Sequence, residues 1–131
     1  MADGVEGLRV FQLAYALSLD LHRASLTWPK VEQYGGIADQ VRRSSKAVCA
    51  LLAEGVGRSR ASRREFERYV VMALGSANEA RLWCKYAEDL GYASGIRQQH
   101  GVPPARRLRD CCRACCPDIG KVRSHLLTAD H

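Results

Sequence analysis

The sequence lacks a long hydrophobic run. The chain has 131 residues, and no stretch of it approaches the roughly 18 consecutive apolar residues that a membrane-spanning helix needs. The apolar stretch VFQLAYALSLDL follows Asp3 and Glu6 rather than a basic cluster, so it does not fit a signal peptide. We therefore expect a cytoplasmic protein that has no membrane partner.

Several catalytic and cofactor-binding patterns are also missing. The sequence has no Gly-Lys-Ser/Thr for a Walker-type phosphate loop and no Glu-x-x-His pair for a di-iron site in a helix bundle. Its four histidines are scattered, and none of them stands in a local pattern for nucleophilic catalysis. We expect no enzymatic activity, no cofactor and no metal site.

Cysteine is present but crowded. Four of the six cysteines lie in CCRACC, at Cys111, Cys112, Cys115 and Cys116. Cys112 and Cys115 have the spacing of half a zinc site, but four cysteines on one helix spread around its circumference and cannot easily meet one ion. Buried cysteines also serve as small hydrophobic residues. Packing is the favoured interpretation, with metal or redox chemistry as the alternative.

The sequence does have helical periodicity. Helices are predicted at about residues 8–27, 34–55, 62–90 and 104–127, the last with a break near Pro117. We detect no strand pattern and no internal repeat. Amphipathic helices joined by short links predict a single all-α domain, an antiparallel up-and-down four-helix bundle.

Each of the first three segments has a predicted inner face. The third is the clearest, because its apolar row keeps steps of three and four and its small residues imply a closely packed neighbour. The first segment has a wide stripe, with a second row at Leu13, Ala14 and Leu17. The predicted rows are Leu8, Phe11, Tyr15, Ser18, Leu21 and Ser25; Ile37, Val41, Ser45, Val48 and Leu52; and Phe66, Val70, Ala73, Ala77, Ala80, Cys84 and Ala87.

Local signals define the helix ends. Gly55 and Gly91 suit the left-handed position that closes a helix. Ser62 and Glu65 have the spacing of a capping box, in which each side chain accepts a backbone N–H of the first turn. Gly55 and Gly57 also have the spacing of a dinucleotide-binding loop, but the third glycine and the preceding strand are missing. We therefore interpret Glu54, Gly55 and Gly57 as a structural corner between two helices, with Glu54 paired to Arg58.

Positive charge is concentrated around this corner. The formal net charge of the chain is +6, and the stretch from Asp39 to Arg64 has seven basic residues against two acidic ones. Such a local excess favours an anionic partner such as RNA or DNA, although a solvated basic surface is an equal alternative. The candidate nucleic-acid-binding residues are Arg42, Arg43, Lys46, Arg58, Arg60, Arg63 and Arg64.

Residues 8–92 resemble a known family. The stretches WPKVEQYG, QVRRS, AEGVGR, EFERYVVMALGSANE and LGY are similar to those of proteins encoded in intervening sequences of bacterial 23S ribosomal RNA genes. The resemblance implies an antiparallel four-helix bundle that forms a homopentameric ring with a basic surface for nucleic acid. It also implies a relation to the accessory variability protein of diversity-generating retroelements.

The resemblance is incomplete in two places. Arg42, Arg43 and Arg58 match basic positions of the family, but Cys49 and Leu51 stand where the family tends to have proline and asparagine. The segment beyond Tyr92 lies outside the match. We expect a nucleic-acid-binding or scaffold protein that acts as a ring; the alternative is a module that recruits a partner enzyme through protein contacts.

Overall fold

The structure is a computed structural model that describes residues 4–92. Three α-helices form most of this part of the chain. They are α1 (Arg9–Ser25), α2 (Ile37–Arg58) and α3 (Arg63–Asp89), and short 3-10 turns lie at Val5–Gly7 and Lys30–Glu32. These residues contain no strand, which confirms the all-helical prediction as far as they extend. The predicted helix at 104–127 and the cysteine cluster lie outside them, so the four-helix bundle stays a prediction.

The three helices run up, down and up. Ser25 on α1 is hydrogen-bonded to Arg42 on α2, whereas the earlier Ser18 faces the later Ser45, so these two helices are antiparallel. Helices α2 and α3 are also antiparallel: Val41 near the start of α2 shares a cluster with Cys84 near the end of α3, whereas Leu52 shares the other cluster with Phe66. The middle helix packs against both of its neighbours.

Two apolar clusters form the core, one toward each end of the helices. The cluster near the loop between α1 and α2 contains Leu21, Trp28 and Val41, and the cluster near the other end contains Leu52, Phe66 and Val70. All seven residues of the row predicted for α3 are buried, and so are Val41, Ser45, Val48 and Leu52 of the row predicted for α2.

The inner face predicted for α1 is partly wrong. Tyr15 is 51% exposed, while Val10 and Ala24, which the predicted rows left out, are buried. Apolar residues surround more than half of this helix, so periodicity alone does not fix which side faces the neighbouring helix.

The predicted role of Gly55 as a helix cap is wrong. Helix α2 continues through Gly55 to Arg58, and Gly55 is buried against α3. A Cβ atom at this position would lie 2.9 Å from the Tyr69 Cβ and 3.4 Å from the Phe66 Cδ2. Gly55 is therefore needed because α2 and α3 approach each other closely, and not because of its backbone conformation.

At the ends of α3, the predicted glycine after the helix is confirmed, and the predicted capping box is confirmed only in part. Gly91 has a φ of 79°, the left-handed conformation that favours glycine after a helix. At the start of α3 the Ser62 hydroxyl accepts the Glu65 N–H at 3.2 Å. The Ser62 N–H donates to the Arg58 carbonyl at 3.0 Å, and the Glu65 carboxylate lies beside Arg58 and Arg68. The arrangement is thus a serine cap without the reciprocal bond of a capping box.

Candidate nucleic-acid interface

The predicted basic residues form two groups on the folded chain. One group lies near the start of α2 and the other at the turn into α3. Because an α-helix rises 1.5 Å per residue, the two groups are separated by about 20 Å. The first group is Arg42, Arg43 and Lys46; the second is Arg58, Arg60, Arg63 and Arg64. The segment therefore does not fold into one continuous patch.

Arg42 is tied to the loop between α1 and α2. Its Nη1 donates to the Ser25 hydroxyl at 2.9 Å and to the Gln33 Oε1 at 3.1 Å, and its Nη2 donates to the Gln33 carbonyl at 2.8 Å. Gln33 in turn donates to the carbonyls of Ser25 and Trp28. The guanidinium group of Arg42 therefore has a structural role in holding this loop against α2.

Arg43 and Lys46 are open to solvent. The side chain of Arg43 is 74% exposed and lies 3.0 Å from the Asp39 carboxylate, one helical turn earlier. The Gly35 N–H and then Arg43 hold the pKa of Asp39 below its usual value, although partial burial opposes them. Lys46 is exposed and forms no ion pair with any residue of the described part. Exposed ion pairs contribute at most about 1 kcal/mol, so a phosphate group can compete for Arg43.

Arg58 belongs to a cluster that joins α2 to α3. Its guanidinium group lies 3.2 Å from the Glu54 Oε1, 3.8 Å from the Glu65 Oε2 and 5.2 Å from the centre of the Tyr69 ring. The Tyr69 hydroxyl donates to the same oxygen of Glu54 at 3.0 Å. The predicted pairing of Glu54 with Arg58 is confirmed, and the additional contacts make the corner a structural cluster.

Arg60, Arg63 and Arg64 differ in their surroundings. Arg63 is only 28% exposed, and its Nε lies 4.0 Å from the Glu67 Oε1. Arg60 and Arg64 are exposed and have no ion pair among residues 4–92. The stretch whose charges were counted in the sequence ends at Arg64. It therefore leaves out the carboxylates of Glu65 and Glu67, which follow directly in α3. The net positive charge of the folded corner is therefore smaller than that of the segment.

Further basic groups surround His22 on α1. Partial burial and then Lys46, Arg42 and Arg23 lower the pKa of His22 from its usual value. Lys46 and Arg42 belong to α2, whereas Arg23 belongs to the last turn of α1. The basic surface therefore extends from α2 onto α1. Sequence analysis missed this extension because His22 and Lys46 are far apart in the chain.

A second cluster, also missed from sequence, joins all three helices. One Glu32 carboxylate oxygen accepts the Ile37 N–H, at the start of α2, at 2.6 Å, and the other accepts the Tyr92 hydroxyl at 3.1 Å. The rings of Tyr92 and Trp28 lie 6.1 Å apart. Burial and then Glu32 raise the pKa of Tyr92. The stretches WPKVEQYG and LGY are thus brought together by the fold, and the contacts of Glu32 and Tyr92 are structural.

Trp83 and Cys49, two further side chains that could take part in binding or catalysis, have structural surroundings. Trp83 donates to Glu79 at 3.2 Å and contacts Tyr86, whose side chain is about half exposed. Burial raises the pKa of Cys49 to about 11, which disfavours a reactive thiolate. Within residues 4–92, no three His, Cys, Asp or Glu residues lie close enough together to hold a metal ion. The same residues include no helix that is long and apolar enough to cross a membrane.

Residues 4–92 are all-helical and carry exposed cations along α2 and at the turn that follows it. The family model of the 23S rRNA-intervening sequence protein matches residues 6–102. This match covers most of the chain, so the chain belongs to that family. No curated protein matches the chain.

Proposed function

We propose that this protein is a non-enzymatic nucleic-acid-binding protein of the cytoplasm that acts as a homopentameric ring of four-helix bundles. One observation carries the proposal: Lys46, Arg60 and Arg64 are exposed and lack ion pairs among the described residues. Unpaired surface cations are suited to phosphate groups, because no carboxylate has to be displaced. Membership of a family named after an rRNA intervening sequence supports RNA or DNA as the source of those phosphates.

A ring strengthens this proposal physically. A few cations on one subunit bind a phosphate backbone weakly, but several copies arranged by symmetry engage one nucleic acid together. A relation to the accessory variability protein of retroelements is part of the same proposal. This relation predicts that the protein functions beside an enzyme that acts on nucleic acid.

Neutralising the unpaired cations tests the proposal. The variant Lys46→Gln, Arg60→Gln and Arg64→Gln lowers the net charge by three, from +6 to +3. We expect it to bind a labelled RNA or DNA duplex at least tenfold more weakly at low salt, in a fluorescence anisotropy titration. The control variant Lys30→Gln, Arg81→Gln and Lys85→Gln, at three exposed cations outside the basic surface around α2, has the same net charge and should bind nearly as well as the wild type. Equal loss in both variants would show only a response to net charge.

The alternative function is recruitment of a partner enzyme. It is supported by exposed apolar residues on the side of α3 that faces away from the core, namely Val71, Met72, Leu82, Tyr86 and Leu90. Exposed apolar groups of this kind serve protein contacts, including contacts between subunits of a ring. The variant Leu82→Lys distinguishes contacts between subunits from contacts with another protein. If the surface joins subunits, the variant should dissociate the ring in size-exclusion chromatography. If the surface recruits another protein, the ring should stay intact.

A further inference from the structure

The outward side of α2 is exposed and carries only small residues between its basic groups. Ala50, Ala53 and Gly57 are exposed, and with Lys46 they follow one another at steps of four, three and four. At 100° per residue they fall within roughly 60° of the helix circumference. A Cβ atom at Gly57 would have no neighbour within 4 Å. We call Lys46, Ala50, Ala53 and Gly57 the outer strip of α2.

Cations lie at both ends of the outer strip. Arg43 and Lys46 are exposed at its start, and Arg60 is exposed in the turn beyond Gly57. The rise of an α-helix places these ends about 20 Å apart. The nearby acid Glu54 is already engaged by Arg58 and by the Tyr69 hydroxyl. The outer strip therefore has positive charge at each end and only small side chains between the ends.

The side chains of the strip limit what it can recognise. Alanine and glycine side chains cannot hydrogen-bond to base edges, so they cannot read a sequence. Residues 46–60 contain no aromatic residue on which an unpaired base could stack, and such stacking is typical of single-strand binding. What remains is contact with phosphates by Arg43, Lys46 and Arg60, together with close approach of the sugar-phosphate backbone.

We propose that the outer strip of α2 binds the sugar-phosphate backbone of a nucleic-acid duplex, independently of base sequence. This inference rests on the proposed function and adds the form of the ligand and the surface that it occupies. At 3.4 Å per base pair, the separation of the basic ends spans about six base pairs. RNA and DNA duplexes share this chemistry.

Substitutions of opposite charge at one position test the proposal. Ala53→Glu should weaken binding of a 12-base-pair RNA or DNA duplex about tenfold at low salt, and Ala53→Lys should strengthen it about threefold. The matched controls are Ala16→Glu and Ala16→Lys, because Ala16 is an exposed alanine on α1; both should change binding less than twofold. All four variants carry good helix formers, and circular dichroism checks their folding.

The probes are fluorescein-labelled duplexes of two unrelated sequences and their single strands, measured by fluorescence anisotropy. The two duplexes should bind within about twofold of each other and more tightly than the strands. Equal effects at positions 16 and 53, or tighter binding of single strands, would overturn the proposal. A change in elution volume caused only by Ala53→Glu would overturn it as well, since the strip would then be a subunit interface.

The same titrations distinguish this inference from the proposed function. If the Lys46, Arg60 and Arg64 neutralisation weakens binding but both Ala53 variants bind as the wild type does, the duplex lies elsewhere on the protein and only the inference fails. If the wild type binds neither duplexes nor single strands at low salt, the proposed function itself fails.

Discussion

Single residues of α2 show why a sequence pattern and its structural role can differ. Gly55 and Gly57 have the spacing of a phosphate-binding loop, yet both lie inside a helix. Gly55 is buried where α2 meets Tyr69 and Phe66, whereas Gly57 faces open space. The first glycine is required by packing; the second has no packing neighbour and lowers the helix propensity.

We predict opposite effects of the same substitution at these two positions. Gly55→Ala should destabilise the fold by about 1–3 kcal/mol, because the added methyl group overlaps Tyr69. Gly57→Ala should stabilise it by up to about 1 kcal/mol, because alanine favours a helix and the site is open. Urea unfolding followed by circular dichroism measures both, and a shift of equal sign would contradict the described packing.

We predict that His22 makes the stability depend on pH. Burial and the nearby cations Lys46, Arg42 and Arg23 lower its pKa below the usual 6.5, so protonation is disfavoured in the folded state. As the pH falls through 6.5, the unfolded chain takes up this proton first, and stability is lost until the folded pKa is passed. His22→Gln should therefore lose less stability than the wild type between pH 7 and pH 5. Thermal unfolding at each pH measures this difference. An equal loss of stability in both proteins would show that His22 is not the cause of the pH dependence.

At the scale of helices and loops, two side-chain clusters hold the ends of the helices together. Glu32, Tyr92 and Trp28 join the start of α2 to the end of α3, and Glu54, Arg58 and Tyr69 join the same two helices at the turn. These residues belong to the sequence stretches that resemble the family most closely. The resemblance in these stretches thus reflects the fold, and a ligand is not needed to explain it.

Removal of one hydroxyl group tests the first cluster. Tyr92→Phe deletes the hydrogen bond to the Glu32 carboxylate and should lower the melting temperature. Tyr34→Phe deletes the same group from a residue that is 93% exposed and should change stability by less than about 0.5 kcal/mol. Thermal unfolding of both variants measures the difference, and equal stabilities would show that the Tyr92 hydrogen bond is not significant.

We predict different roles for Arg42 and Arg43, although replacing either residue by alanine removes the same charge. Arg42→Ala removes three hydrogen bonds from the loop between α1 and α2 and should cost roughly 2–4 kcal/mol of stability. Arg43→Ala removes an exposed side chain and should change stability by less than about 0.5 kcal/mol while weakening duplex binding. Urea unfolding and anisotropy titration are run on both; the reverse assignment of effects would contradict the structure.

The sequence predicted the three described helices well, but it predicted the surroundings of the basic residues only partly. The row from Phe66 to Ala87 was found because its steps of three and four continue without a break along the helix. The role of Arg42 could not be found, because its partners in the preceding loop are fixed only by the tertiary fold. The pairing of Arg63 with Glu67 was detectable from the i,i+4 spacing, but the charge count stopped before that glutamate.

At the scale of the whole molecule, the fold separates structural cations from available ones. Arg42 and Arg58 hold a loop and a corner, whereas Lys46, Arg60 and Arg64 face solvent without a carboxylate partner among the described residues. The cations that contribute to the net charge of +6 are therefore not equally available to an anionic partner. We therefore expect the available cations along and beyond α2 to bind phosphate groups.

The salt dependence of duplex binding tests this claim most directly. Each phosphate neutralised lowers the slope of log K against log salt concentration by about 0.9, so three cations per engaged subunit predict a slope of roughly −2.7 or steeper. Anisotropy titrations of the wild-type chain with a 12-base-pair duplex over a range of salt concentrations give this slope. A steep negative slope is the predicted result; a flat response, or no binding at the lowest salt, would contradict the account.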